Sequence, residues 1–402
     1  MPELQSIVVV GAGAAGLHTA EALRVAGFAG RLTIVGEEAD VACDRPPLSK
    51  QVLAGEWTPD RAELFSTSRL EQLNADWRLG VRAARLDLAG RTVELASGEH
   101  LSYGALVVAT GMFARTLPHQ PPLRHLHTLR TLQDALTLRT SLLRSREARR
   151  LVVIGAGFLG LEVAATARNL GCDVTVVEPQ PGPPLASRLG SLAASRILAA
   201  HEDRDVRIIT GQGVGRIVGD GDVQAVELTS GACLRADTVL MAIGAVPAIS
   251  WLQGSGLDLS NGVVCDEFCH AGSGVWAVGD VASWPHPVLG ARVRLEHRMN
   301  ASEQARVVAA NIMGAAVPFA PIPFFWTDHY DDKVQVLGWF APEGEAEVVE
   351  SSADGRSFVQ TFSADGDLVG ALLWNAPRRL ATLRARLTDA RRPMPDTSRT
   401  RS

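Results

Sequence analysis

Residues 7–35 and 151–177 repeat one pattern. Each begins with an unbroken apolar run, passes through a glycine-rich turn, continues with apolar positions at helical spacing and closes on a second apolar run. Strands buried on both faces require such continuous runs, so each segment predicts a strand, turn, helix and strand of a parallel sheet. Gly171 follows the second helical stretch and supplies the left-handed residue that ends helices, before an extended pattern resumes at 173–177. Two more apolar runs, 106–109 and 239–243, end in Thr110-Gly111 and in Gly244. They mark where the chain leaves each unit, and residues 275–280 read as a strand returning to the first. The expected organisation is one domain of residues 1–115 and 245–317, a second of 116–244 inserted into it, and a third of 318–402. The Pro-rich stretch 318–323 sets the last boundary, and alternation at 334–337 and 358–362 predicts an antiparallel sheet beyond it. From residue 391 on, Pro, Ser, Thr and Arg without apolar periodicity predict a frayed tail.

Composition narrows the picture. With 402 residues, 46% hydrophobic and 21% charged, and a net charge of −5, the chain has room for several cores and no general attraction for nucleic acid. The most apolar long segment, 151–167, carries Glu162 and three glycines, so it predicts a buried strand and helix and no membrane span. With no basic flank, long apolar core or cleavage site ahead of the first strand, the expected location is the cytoplasm. The five cysteines, Cys43, Cys172, Cys233, Cys265 and Cys269, form no Cys-x-x-Cys pair and fit a reducing compartment. Only Lys50 and Lys333 are lysine among 39 basic residues. Where arginine serves every generic positive charge, a retained lysine points to specific chemistry.

The first fingerprint is Gly11-Ala12-Gly13-Ala14-Ala15-Gly16, with Glu37 at the end of the next strand. Glycines let the backbone approach a pyrophosphate, the helix N-terminus offers unpaired N–H groups, and the acid accepts from ribose hydroxyls. The second, Gly155-Ala156-Gly157-Phe158-Leu159-Gly160, is followed by Glu178. Two dinucleotides are implied. Glu178 favours a free 2′-hydroxyl over a 2′-phosphate, and residues 179–184 contain no arginine, so the second nucleotide reads as NADH. His125 with His127, and Cys265 with Cys269, lack the companions of a metal site, and no metal is expected. No Ser–His–Asp hydrolase pattern is present.

The run Cys43-Asp44-Arg45-Pro46-Pro47-Leu48-Ser49-Lys50 resembles the Arg-Pro-Pro-Leu-Ser-Lys signature of oxygenase-coupled ferredoxin reductases, the relatives of putidaredoxin and rubredoxin reductases. Also similar to that family are Ala109-Thr110-Gly111, 155–162, Val278-Gly279-Asp280, Leu295-Glu296-His297 with Asn300-Ala301, and Phe325-Trp326-Thr327-Asp328. The resemblance spans nearly the whole chain. It implies an α/β architecture like that of glutathione reductase: two Rossmann-like domains, for FAD and for NAD, and a small α+β C-terminal domain. It implies transfer of hydride from NADH to FAD, then of single electrons to a two-iron ferredoxin that serves a monooxygenase or dioxygenase. By matching motif, Arg45 would contact the FAD phosphates or ribityl chain, and Lys50, paired with Glu162, would lie by flavin N5. Glu162 would face the nicotinamide, Asp280 would take the ribityl hydroxyls, and Trp326 would lie over the flavin or nicotinamide face. Gly244, Gly279, Glu296 and His297 complete the implied cofactor contacts.

Two departures stay open. Cys43 stands where the family usually carries an aromatic residue, which allows a thiol-dependent NADH oxidase or disulfide reductase as an alternative. A flavoprotein that senses NADH through a change of shape is another. His329 stands where many relatives carry glutamine. A monomer or weak dimer is expected. From Ala376 to Ser402, Arg378, Arg379, Arg384, Arg386, Arg391, Arg392, Arg399 and Arg401 face only Asp389 and Asp396. With Arg144, Arg146, Arg149 and Arg150, they are expected to form a basic rim that steers an acidic ferredoxin.

Overall fold

A computed structural model describes residues 4–40, 42–118, 120–144, 149–340 and 345–389. The expected tail from 391 on, with Arg391, Arg392, Asp396, Arg399 and Arg401, lies outside the described residues, as does Arg146.

The apolar runs form two parallel sheets. In the first, strands Ser6–Val10, Arg31–Val35 and Asp76–Arg78 lie side by side, with Ala105–Val108 on the other flank of Ser6–Val10. Val275–Ala277 then pairs parallel to Ala105–Val108, so the late strand returns to the first sheet. His270–Gly272 closes that edge antiparallel. The second sheet orders Arg207–Thr210, Asp173–Glu178, Arg150–Ile154, Thr238–Met241 and Leu126–His127, all parallel. Between the sheets the chain crosses on an antiparallel ribbon, Met112–Ala114 against Ala245–Pro247.

The helices that follow the central strands, Ala14–Val25 and Phe158–Asn169, begin inside the fingerprints, so the third glycine of each is already helical. That placement has a steric cause. A Cβ on Gly16 would collide with the carbonyl oxygen of Gly11, and one on Gly160 with that of Gly155. Only glycine lets the first helical turn lie this close to the strand end. Gly171 takes φ +84° after the second helix, and the N–H of Cys172 returns to the carbonyl of Ala167 at 3.0 Å, as a glycine-terminated helix end requires.

The alternation beyond residue 323 builds a five-stranded antiparallel sheet. Its order is Phe324–His329, Asp332–Gly338, Asp367–Trp374, Phe358–Ala364 and Glu345–Ser351. Val334, Val336, Phe358, Phe362, Leu372 and Trp374 share a core with the helix Phe158–Asn169 and its strands, so this sheet is fused to the second nucleotide unit. The helix Leu380–Asp389 covers its other face through Leu383 and Leu387. The free edge strand Phe324–His329 therefore runs past the second glycine turn. No helix of the described residues is long and apolar enough to cross a membrane.

Candidate functional site

Lys50 stands at the junction of a 3₁₀ turn, Pro46–Ser49, and a short helix, Gln51–Ala54. The two prolines fix φ for the turn and Pro46 opens it. Thr166 of the long helix holds the turn from behind, its hydroxyl donating to the Ser49 carbonyl at 2.8 Å. This anchoring delivers two side chains to Glu162, one helical turn earlier on that helix. Lys50 Nζ lies 2.7 Å from Glu162 Oε2, and Ser49 Oγ donates to the same oxygen at 2.6 Å. The other oxygen, Oε1, accepts from Thr327 Oγ1 at 2.8 Å and from the Asp328 N–H at 3.4 Å. Side-chain exposures of 13% for Lys50 and 9% for Glu162 place the pair away from bulk water, where a charge is tolerated only with a partner and full hydrogen bonding. Asp328, close by, is pushed up by burial against the pull of Lys50 and Lys333.

Around the first glycine turn the chain collects charged side chains. Gly279 approaches Ala15 so closely that a Cβ there would lie 2.8 Å from the alanine methyl, which sets Asp280 beside the first turn. Arg130 Nη2 is 3.5 Å from Asp280 Oδ2, within ion-pair reach but outside hydrogen-bond geometry. Its Nε and Nη2 are buried and unsatisfied. Burial, with Arg45 as neighbour, pushes Arg130 down to about 10, although Asp280 pulls the other way. A buried cation with such donors suits an anion. Arg45 reaches Glu38 at 3.6 Å. Glu37 is exposed at the strand end, and a Cβ on Gly13 would meet no atom within 4 Å. These residues fit a pyrophosphate and ribityl chain laid along the turn.

The second turn is simpler. Gly157 and Gly244 are equally open, and Glu178 accepts from the N–H of Ala156 at 2.9 Å and of Gln180 at 3.0 Å. Its carboxylate is thus fixed toward the turn, as recognition of a ribose diol needs.

Other expected residues take varied places. Thr110 donates to the Ala248 carbonyl at 2.8 Å, tying the exit from Ala109-Thr110-Gly111 to the returning ribbon. Glu296 is tied to Arg294 at 2.7 Å. His297 is half-buried with its buried Nδ1 unpartnered, and desolvation pushes it down to about 4, so it is a neutral ring packed on Phe325. Trp326 is half-buried and stacks on Phe324. Strand alternation puts it on the face opposite Thr327, so it is not among the groups that hold Glu162. Cys43 is half-buried, and burial together with Glu38 raises its thiol. Arg130 was missed by sequence reasoning, and Thr327 stood out only as a motif position without a role. The only local signal for Arg130 is the capping box Thr131–Asp134 that fixes the helix behind it.

Several arginines of the expected basic rim have partners within the fold. Arg379 pairs with Glu350 and Arg384 with Glu303. Arg150 pairs with Asp237, and Arg144 bonds to His125 and to the Asp237 carbonyl.

Two glycine-turn sheets, one beside Arg45, Arg130 and Asp280 and the other leading into a buried lysine–carboxylate pair, define a two-dinucleotide flavoprotein oxidoreductase. Residues 5–305 match the pyridine nucleotide-disulphide oxidoreductase family and 324–400 the reductase C-terminal domain, and the chain belongs to that family. It is 38% identical to rhodocoxin reductase of Rhodococcus erythropolis over 93% of this chain and 87% of the relative. It is 35% identical to the anthranilate 1,2-dioxygenase system ferredoxin–NAD(+) reductase component of Burkholderia cepacia, over 96% and 95%. Among solved structures, the covalent putidaredoxin reductase–putidaredoxin complex superposes with a TM-score of 0.89 at 30% identity, covering 97% of this chain and 94% of that one.

Proposed function

We propose that the chain is an FAD-dependent NADH:ferredoxin oxidoreductase that supplies single electrons, through a two-iron ferredoxin, to a monooxygenase or dioxygenase. The observation that carries this reading is the Lys50–Glu162 pair, set where the Pro46–Ser49 turn, the helix that follows the second glycine turn and the C-terminal edge strand meet. In this reading residues 1–115 and 245–317 hold FAD, 116–244 hold NADH, and 318–402 complete the site. FAD, when bound, accepts a hydride and releases its two electrons one at a time. Arg45, Arg130 and Asp280 hold its phosphates and ribityl chain, and Gly11–Gly16 and Glu37 hold its adenosine half. Gly155–Gly160, Gly244 and Glu178 hold NADH. Lys50 presents a cation where negative charge gathers on reduction, Glu162 fixes that cation and faces the nicotinamide, and Trp326 shields the ring stack from water. The raised Cys43 thiol argues against thiolate chemistry, because only the thiolate attacks a disulfide. With all five cysteines free, we place the protein in the cytoplasm. The test is steady-state NADH oxidation against a panel of two-iron ferredoxins, disulfides and oxygen. Turnover with ferredoxin alone is expected, and turnover with disulfides alone would overturn the assignment.

A further inference from the structure

Behind the Lys50–Glu162 pair lies a line of buried hydrogen-bonding side chains that the reading above leaves unused. Thr327 Oγ1, which donates to Glu162 Oε1, is 3.1 Å from His329 Nε2. His329 Nδ1 is 3.5 Å from His201 Nε2, and His201 Nδ1 is 3.1 Å from the Tyr330 hydroxyl. Thr327, His329 and His201 are all fully buried. Tyr330 is half-buried and opens the tight turn to Asp332, with φ +56°, a conformation a tyrosine adopts only when its surroundings hold it. Arg204 lies 4.2 Å above its ring, and the next residue, Asp331, is fully exposed.

The donors all point one way. Glu162, paired with Lys50, accepts only, so Thr327 spends its proton on it and must accept from His329. Burial pushes His329 and His201 each down to about 3, helped by Lys50 and by the other ring, so each imidazole is neutral with one N–H. His329 therefore carries its proton on Nε2 and accepts at Nδ1. His201 then donates from Nε2 and accepts at Nδ1 from Tyr330. Lys50, Asp328, Lys333, Arg204, Arg168 and Asp331 are the charged groups around this line.

We propose that Tyr330, His201, His329 and Thr327 form a proton path that delivers a solvent proton to Glu162 when the site is reduced. The idea rests on the function above. Each turnover is NADH + 2 A → NAD⁺ + 2 A⁻ + H⁺, with A a one-electron acceptor. The hydride brings two electrons and one proton, so once NAD⁺ leaves, the site is one charge more negative. One proton moving along the line to Glu162 balances that charge and frees Lys50 from its partner. When the two electrons leave to A, both protons return to solvent, which leaves the net release of one. These four are positioning and relay residues that act through Glu162.

Two measurements on the holoenzyme test the path. Nitrogen-15 NMR of labelled histidines in the oxidised protein should show His329 and His201 as neutral Nε2–H tautomers at pH 7. An Nδ1–H tautomer or a charged ring at either would overturn the path without any turnover. In weakly buffered stopped-flow with an indicator dye, one proton should be taken up in step with bleaching of the flavin by NADH. Tyr330→Phe, which removes one hydroxyl, and His329→Gln, which keeps a hydrogen-bonding amide but relays no proton, should each slow uptake at least tenfold relative to bleaching. Uptake that is absent in the parent protein, or unslowed in either variant, would overturn the path. Failure of NADH to bleach the parent flavin would overturn the function instead.

Discussion

Around the first glycine turn the chain gathers Arg45, Arg130 and Asp280, two of whose cationic nitrogens idle in the interior. Around the second it places one carboxylate, Glu178, already tied to two backbone N–H groups. The strands, helices and steric demands on glycine are nearly the same in both, so the difference lies in what the rest of the chain adds. Idle buried donors are costly until a ligand satisfies them, so the first turn suits a nucleotide that stays. At the second turn the carboxylate already has backbone partners, which suits a nucleotide that comes and goes.

The largest effect is expected between the two turns. Lys50→Met strands the Glu162 carboxylate in the interior, which costs about 3–5 kcal/mol for a buried pair that loses one partner. Flavin reduction by NADH in rapid mixing should slow by roughly 100-fold or more, while FAD stays bound. Glu162→Ala should act on the same step and non-additively with it; additive losses would show that the two residues work apart. Arg130→Met should strike the first turn alone. Removing a charge-assisted bond worth about 1.5–3 kcal/mol should weaken FAD retention by roughly 10- to 100-fold, as read from flavin lost on gel filtration. Retention at the parent level would remove Arg130 from the cofactor site. Glu178→Arg should strike the second turn alone and narrow the preference for NADH over NADPH by about tenfold in kcat/KM. A parent that prefers NADPH would contradict the role given to Glu178.

The contrast was only partly legible in the sequence. Both glycine turns, their following acids and the Arg-Pro-Pro-Leu-Ser-Lys run announce themselves, because close backbone approach and a fixed turn demand particular residues at fixed spacings. The returning strand Val275–Ala277 was legible as an apolar run whose partner lay far upstream. Arg130 and His201 were not, and Thr327 and His329 stood out only as motif positions without a role. They act through neighbours more than a hundred positions away, and nothing near them in the chain reports that distance. The basic C-terminal segment shows the same limit: its charges were countable, but the acids paired with Arg379 and Arg384, Glu350 and Glu303, lie on other elements.

The smallest effects follow from those pairings and from burial. Exposed ion pairs contribute about 0–1 kcal/mol, so neutralising Arg378, Arg379 and Arg384 together should flatten the salt dependence of ferredoxin reduction between about 0.01 M and 0.15 M by less than a bare count of charges implies. An unchanged salt response would remove this segment from the docking surface. Cys43→Ser should leave ferredoxin reduction nearly intact, and iodoacetamide should modify Cys43 slowly at neutral pH, because a raised thiol holds little thiolate. Rapid alkylation with loss of activity would reopen the thiol mechanism.

The late return of Val275–Ala277 to the first sheet also sets an order of events during synthesis. Every strand of the second sheet lies between residues 126 and 241, so that unit can close as soon as it leaves the ribosome. The first sheet cannot. Ala105–Val108, fully apolar and fully buried in the finished protein, must wait while roughly 170 further residues are added, about 10–30 s at ordinary elongation rates. Throughout that interval its outer edge is unpaired and open to other nascent chains. The sheet of the inserted unit is therefore complete before the sheet that begins the chain.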